Sequence, residues 1–168
     1  APTAISDLDE HVLICEHTPR TDAFIAELEA RDREYCLVES DTDTAGELHE
    51  AEYRVIEGDP ESLETLLNAR VDAARCVVID SADDTSASIA LSVREANPDV
   101  SLLTLLEDAD LTQYHRAAGV DEILLPRQLL GESLAGQVPT AVTTEITDSA
   151  VISDEFELVE LTVAAESD

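Results

Sequence analysis

A chain of 168 residues is long enough for one α/β domain with a real core and a short appendage, and too short for two large domains. Thirty-nine acids oppose nine basic residues, all of them arginine, for a formal charge of −30 with only 3% aromatics. Such a surface repels nucleic acid and anionic lipid, and its self-repulsion suits a salt-accumulating halophile, where near-molar salt screens charge within about 3 Å.

The apolar residues are periodic rather than sparse, so the acidity reads as a solvated surface and not as disorder. Cys15, Cys36 and Cys76 each fall in a predicted strand without metal-like spacing, and read as reduced core thiols of a cytosolic protein. No apolar run approaches membrane-spanning length and no signal-peptide pattern opens the chain, so no direct membrane insertion is expected.

Residues 1–10 lack periodicity and read as a leader or linker. The stretch from His11 to Asp41 then sets the organisation: an apolar run (His11–Cys15), a turn, a helix carrying Phe24, Ile25 and Leu28 on one side, and a second β-rich run, Tyr35–Glu39. Thr18 followed by Pro19 predicts a helix start there, with the helix running to about Arg31. Asp41 or Thr42 can cap a second helix to about Ala51, before a third strand at Tyr53–Glu57. The turn Gly58-Asp59-Pro60 then opens a helix over Glu61–Ala69. Ala74–Asp80 is nearly all apolar between its ends, the mark of a strand covered on both faces.

Asp83 and Asp84 open a helix that Asn97-Pro98 stops. Val100–Leu106 is a fifth strand, Asp108–Ala118 a helix ended by Gly119, and Glu122–Leu125 a sixth strand. Strands alternating with helices predict a doubly wound parallel sheet, Rossmann-like, of order 3-2-1-4-5-6 over residues 11–136. Residues 137–168 read as a linker followed by a period-two strand, Phe156–Val163, that must pair with something.

The first βαβ unit is of the dinucleotide-binding kind, with Glu39 where a ribose-binding carboxylate belongs and Glu16, Thr18 and Thr21 where the phosphate loop would carry glycines. Glu16 puts a side chain and a negative charge where phosphate would lie, opposing anion binding unless Arg20 or a cation compensates. Asp32 and Glu52 also stand at glycine-like positions; where such a backbone needs a positive φ, an acid costs on the order of 1 kcal/mol. Glu39 reads either as an acceptor for ribose hydroxyls or as a capping or exposed acid at a strand end. Of the four histidines, His11, His49 and His115 read as surface or edge residues, and His17 as pointing into the cleft. No Ser-His-Asp or Cys-His arrangement is assembled, Cys15 being a strand residue, so no enzyme is expected. An NAD-dependent oxidoreductase would need a substrate domain and a proton-transfer residue that the chain lacks.

The pieces HVLIC (11–15), LVESD (37–41), YRVIEGDPESLETLLNARVDAARCVVID (53–80), ALSVREANPDV (90–100) and QYHRAAGVDEILLP (113–126) together resemble the N-terminal lobe of an RCK domain, the regulator-of-K⁺-conductance or Trk-type nucleotide-binding module. FELVELTV resembles the opening strand of that family's second lobe. The resemblance implies a cytoplasmic regulatory domain at the inner face of the membrane, paired as a homodimer or higher ring on a K⁺ channel or transporter subunit. It further implies NAD(H) or an adenine nucleotide in the crevice, with His17, Thr18, Arg20, Thr21, Glu39, Asp41, Asp59, Asp80 and Ser81 around it. Asp59 would flank the adenine, although as a cap it needs no ligand. Asp80 and Glu107 match two carboxylates that some members use for divalent cations; the third position is Leu105, and two carboxylates are thin for a cation that wants about six oxygens. A Rossmann-like oligomerisation module whose nucleotide site has decayed is the alternative.

Overall fold

The computed structural model describes residues 3–138. Its strands are β1 (Val12–Cys15), β2 (Tyr35–Glu39), β3 (Val55–Glu57), β4 (Cys76–Ile79), β5 (Ser101–Leu105) and β6 (Glu122–Leu124). All pair in parallel, in the order β3-β2-β1-β4-β5-β6. The helices are α1 (Pro19–Ala30), α2 (Thr42–Glu50), α3 (Leu63–Asn68), α4 (Asp83–Ala96) and α5 (Thr112–Ala117). Among the described residues no helix is long and apolar enough to cross a membrane.

The near-continuous apolar strands are explained by two cores. Alternate residues of β1 point to opposite faces: Leu13 and Cys15 join Cys36, Val38, Val77 and Ile79 against α3 and α4, while Ile14 joins Leu37 against Ile25, Leu28 and Leu48 of α1 and α2. Cys15 and Cys36 therefore act as small core residues, as expected, and burial pushes the Cys36 thiol up to about 12 and the Cys15 thiol further.

Several sequence expectations need correction. Residues 3–10 do not behave as a leader: Ile5–Asp7 form a 3-10 turn, Leu8 is fully buried in the core, and the Glu10 N–H donates to the Ala73 carbonyl. A single apolar side chain among acids leaves no periodicity to read. His11 and His115 are not surface residues but wholly buried, because each ring finds a main-chain partner: Nε2 of His11 lies 3.0 Å from the Ala69 carbonyl and Nε2 of His115 lies 2.8 Å from the Asp83 carbonyl. Burial holds His11 below the usual histidine range. Asp59 does not cap α3; Ser62 does, accepting the Thr65 N–H, while Asp59 accepts the Glu61 N–H at 2.8 Å inside the preceding turn.

The chain divides into two units, Ala1–Pro126 and Arg127–Asp168. In the second, residues up to 138 continue a helix that starts at 126, with Leu129, Leu130, Leu134 and Val138 exposed. The expected linker beyond Val138 and the expected strand Phe156–Val163 lie outside the described residues.

Candidate functional site

Register decides what meets at the carboxyl ends of the strands. Cys15 pairs with Val38 on one side and Ile79 on the other, and Glu39 pairs with Glu57. The next residue of each strand continues that row, so Glu57, Glu39, Glu16 and Asp80 stand side by side across β3, β2, β1 and β4. Ile79 pairs with Thr104, which brings Leu105 into the same row. The row crosses the β1–β4 junction, where strand order reverses and doubly wound sheets open their ligand crevice.

Each acid is held differently. Glu39 is only 4% exposed, and its two oxygens accept main-chain N–H groups, from His17 at 3.0 Å and from Asp41 at 2.8 Å. Those bonds tie the β1–α1 loop to the β2–α2 loop and offset the cost of burying the carboxyl. Asp80 is 1% exposed and accepts from the Thr18 hydroxyl at 2.7 Å and from two Arg20 nitrogens at 2.8 and 3.1 Å. Arg20 reaches Glu107 with its remaining nitrogen at 2.8 Å. These bonds, to Asp80 first, raise the guanidinium's already high pKa. A tethered guanidinium thus sits between the two carboxylates considered for a divalent cation, and among the described residues no group of three or more His, Cys, Asp or Glu could hold a metal.

The β1–α1 loop folds without glycine. Glu16 adopts φ 73°, and Asp32 and Glu52 adopt 55° and 68°, so all three acids at glycine-like positions do occupy left-handed backbone. The Glu16 N–H donates to the Val38 carbonyl at 2.8 Å, keeping the turn tight. Its carboxyl is half-buried, accepts the Ser40 hydroxyl at 3.2 Å and lies against that of Glu39. Burial pushes it up to about 7, the Ser40 hydroxyl opposing the rise and Glu39 adding to it. The turn closes where the Thr21 hydroxyl accepts the Thr18 N–H at 2.7 Å and donates to the Thr18 carbonyl.

His17, Thr18, Arg20, Thr21, Glu39, Asp41 and Asp80 are thereby joined in one hydrogen-bonded set. Ser81 follows Asp80 half-buried, and Asp59 is exposed beyond β3. The His17 ring turns onto Asp22, Nε2 to Oδ1 at 2.7 Å, where the Tyr53 hydroxyl also bonds at 2.9 Å. That pairing, to His17 first, holds the Asp22 carboxyl below the usual range. Asp41 is the N-cap of α2, accepting the Thr44 N–H. Sequence reasoning missed Asp83, which accepts the Glu107 and Asp108 N–H groups at 3.2 and 3.0 Å and clamps the loop after β5 to the start of α4. Its place in the first turn of α4 was readable; its partners, 24 and 25 residues away, were not.

A nucleotide fits this site at its ribose end, where a buried carboxyl is fixed by two amides. At the end where a phosphate would lie, the Glu16 carboxyl would oppose it when charged. Two open hollows of about 570 and 420 Å³, one beside Tyr35 and Tyr53 and one beside Leu28, Arg31 and Arg75, touch neither Glu39 nor Asp80.

The TrkA-N domain model matches residues 12–126, the whole of this sheet. The chain belongs to the TrkA-N domain family. Among solved structures, the GsuK channel bound to NAD is 27% identical and covers 80% of this chain and 25% of that one, with a TM-score of 0.70. GsuK bound to ADP is 28% identical, covering 80% and 36% at a TM-score of 0.72. The TrkA-N domain of the inner membrane protein ybaL from Escherichia coli, 18% identical, covers 79% of this chain and 98% of that one at 0.73, a likeness of fold. This TrkA-N chain therefore spans 25% to 36% of the length of those GsuK chains. No curated protein sequence matches it significantly.

Proposed function

We infer that this TrkA-N domain is a regulatory, non-catalytic nucleotide sensor of a K⁺ channel or K⁺ uptake system, working at the cytoplasmic face of the membrane as a homodimer or within a larger ring. The observation that carries the reading is Glu39, buried at the end of β2 with both oxygens fixed, beside the crevice at the strand-order reversal. Solved relatives at 27% and 28% identity carry NAD or ADP, which makes those the nucleotides to expect. His17, Thr18, Arg20, Thr21, Asp41, Asp59, Asp80 and Ser81 would complete the site. A ligand seated there touches loops from both halves of the sheet, so its binding can bias how those halves pack and pass that bias to a partner. The acidic surface supports a salt-rich cytosol as the setting.

Calorimetric titration of NAD⁺, NADH, ADP and ATP into the protein in molar KCl tests the reading. Micromolar binding of at least one is expected; no heat and no thermal shift with any of them removes it. One observation favours a second reading, an oligomerisation module that has lost its ligand: Glu16 places a carboxyl in the phosphate loop. On that reading wild type stays empty at every pH, and Glu16→Gly creates binding.

A further inference from the structure

Of the acids in the strand-end row, Asp80 alone is paired with a cation, Glu57 is exposed and takes the Thr42 hydroxyl, and Glu16 is half-buried against another carboxyl. Glu39 spends both oxygens on main-chain N–H groups, and Asp80 is saturated by Arg20 and Thr18. Glu16, between them in register, has the Ser40 hydroxyl and main-chain N–H on one side and the Glu39 carboxyl on the other. Glu39, the last residue of β2, is the charged group that lies against it; Cys15 and His17 are its chain neighbours, and Asp80, with Arg20 bound to it, and Glu57, the last residue of β3, stand in the same strand-end row. The two cationic candidates among them are engaged elsewhere, His17 with Asp22 and Arg20 with Asp80 and Glu107.

Two half-buried to buried carboxyls in contact are stable as a hydrogen-bonded pair only when one carries a proton. Glu39 is already an acceptor at both oxygens, so the proton resides on Glu16. With it, Glu16 is a neutral donor beside the loop that would receive a phosphate; without it, Glu16 is a fixed negative charge in the same place. Arg20 cannot offset that charge without releasing the buried Asp80.

We propose that Glu16 makes nucleotide binding proton-linked, the nucleotide entering the crevice together with one proton that Glu16 takes from solvent. This rests on the nucleotide reading above and adds a regulation to the same site: affinity rises as the surroundings acidify, and bound nucleotide holds the proton in place. The neighbourhood sets the operating range near neutrality, because burial and Glu39 push the Glu16 carboxyl up to about 7.

NAD⁺ is the probe of choice, since its diphosphate bridge does not titrate near neutral pH. Its binding is measured by calorimetry from about pH 6 to about pH 8.5, in molar KCl and in two buffers of different ionisation heat, for wild type and Glu16→Gln. Wild type is expected to lose up to about thirtyfold in affinity across that range, with proton uptake approaching one per NAD⁺ at the alkaline end. Glu16→Gln should bind with little pH dependence, near the wild-type affinity at the acid end; because His17 is intact in it, any slope from that ring would persist. Carbon-13 detection of labelled glutamate carboxyls supplies a readout without ligand: one signal in wild type titrates near neutrality and is missing in Glu16→Gln. Binding that is flat with pH in wild type, a slope retained in Glu16→Gln, or no such carboxyl signal overturns the proton linkage and leaves the nucleotide reading standing. No NAD⁺ binding by either protein at any pH, with the carboxyl signal present, instead overturns the nucleotide reading and takes the linkage with it.

Discussion

The two ends of the β-sheet use the same residue types to opposite effect. At the amino ends of the strands, Arg54, Arg70, Arg75 and Arg94 each meet a substantially exposed acid, Glu34, Asp72, Glu10 and Asp121 in turn, and Arg54, Arg70 and Arg94 also cap main-chain carbonyls. At the carboxyl ends two acids, Glu39 and Asp80, are themselves buried, and they are answered by backbone N–H groups, a hydroxyl and Arg20. The difference teaches where a ligand can act. Charges matched one to one near water hold loops in place, whereas the buried carboxylates fix the loops that flank the strand-order reversal.

The largest expected effect bears on what the two ends share, an excess of exposed acid. Moving the protein from about 2 M KCl to dilute buffer, where screening length grows several-fold, should lower its melting temperature by more than about 10 °C; a full native circular-dichroism signal and unchanged melting in dilute buffer would refute the salt-adapted reading. Next in size is Asp80→Ala, which strands Arg20 and the Thr18 hydroxyl at the crevice. It should cost about 2 to 3 kcal/mol in urea unfolding, toward the lower end for broken buried pairs because Arg20 is 44% exposed. Arg94→Ala probes the opposite end: it deprives the Gly119, Pro98 and Val100 carbonyls and Asp121 of their donor, for a loss of about 2 kcal/mol. A loss at Arg94 larger than at Asp80 would reverse the contrast between the two ends.

The smallest effect is the most discriminating. Glu16→Gly relieves left-handed strain and should stabilise the fold by about 1 kcal/mol, as should Asp32→Gly by somewhat less. The Glu16 carboxyl titrates higher in the folded chain than in the unfolded one, so the folded state binds more protons between the two values, and wild-type stability from this group falls as pH rises from the ordinary glutamate range to about 7. The gain from Glu16→Gly should therefore be larger at pH 8 than at pH 5; a gain equal at the two pH values would mean that Glu16 is not perturbed by its neighbours.

Much of the sheet was legible because each strand carries its own evidence. The apolar run ending in Asp80 announced its own burial, the runs ending in Glu39 and Asp80 showed acids at their tips, and strand order followed from the βα rhythm. The sequence marks Glu16, Asp32 and Glu52 as glycine-like positions from where the turns fall, but that all three acids adopt a positive φ is shown by the backbone alone. What escaped is what depends on partners distant in sequence. The Arg20 fork joins residues 60 and 87 positions apart, and the burial of His11 rests on a carbonyl 58 positions away. Neither leaves a trace in local periodicity.

The free thiols carry a consequence for how the protein can be watched. Cys36, Cys15 and Cys76 sit on three adjacent strands, β2, β1 and β4, the first two sealed in the core and the last partly reachable. Their modification by an alkylating reagent is a built-in clock of sheet breathing. Cys76 reports fraying at a strand's start, and the other two keep time only with openings that part the centre of the sheet.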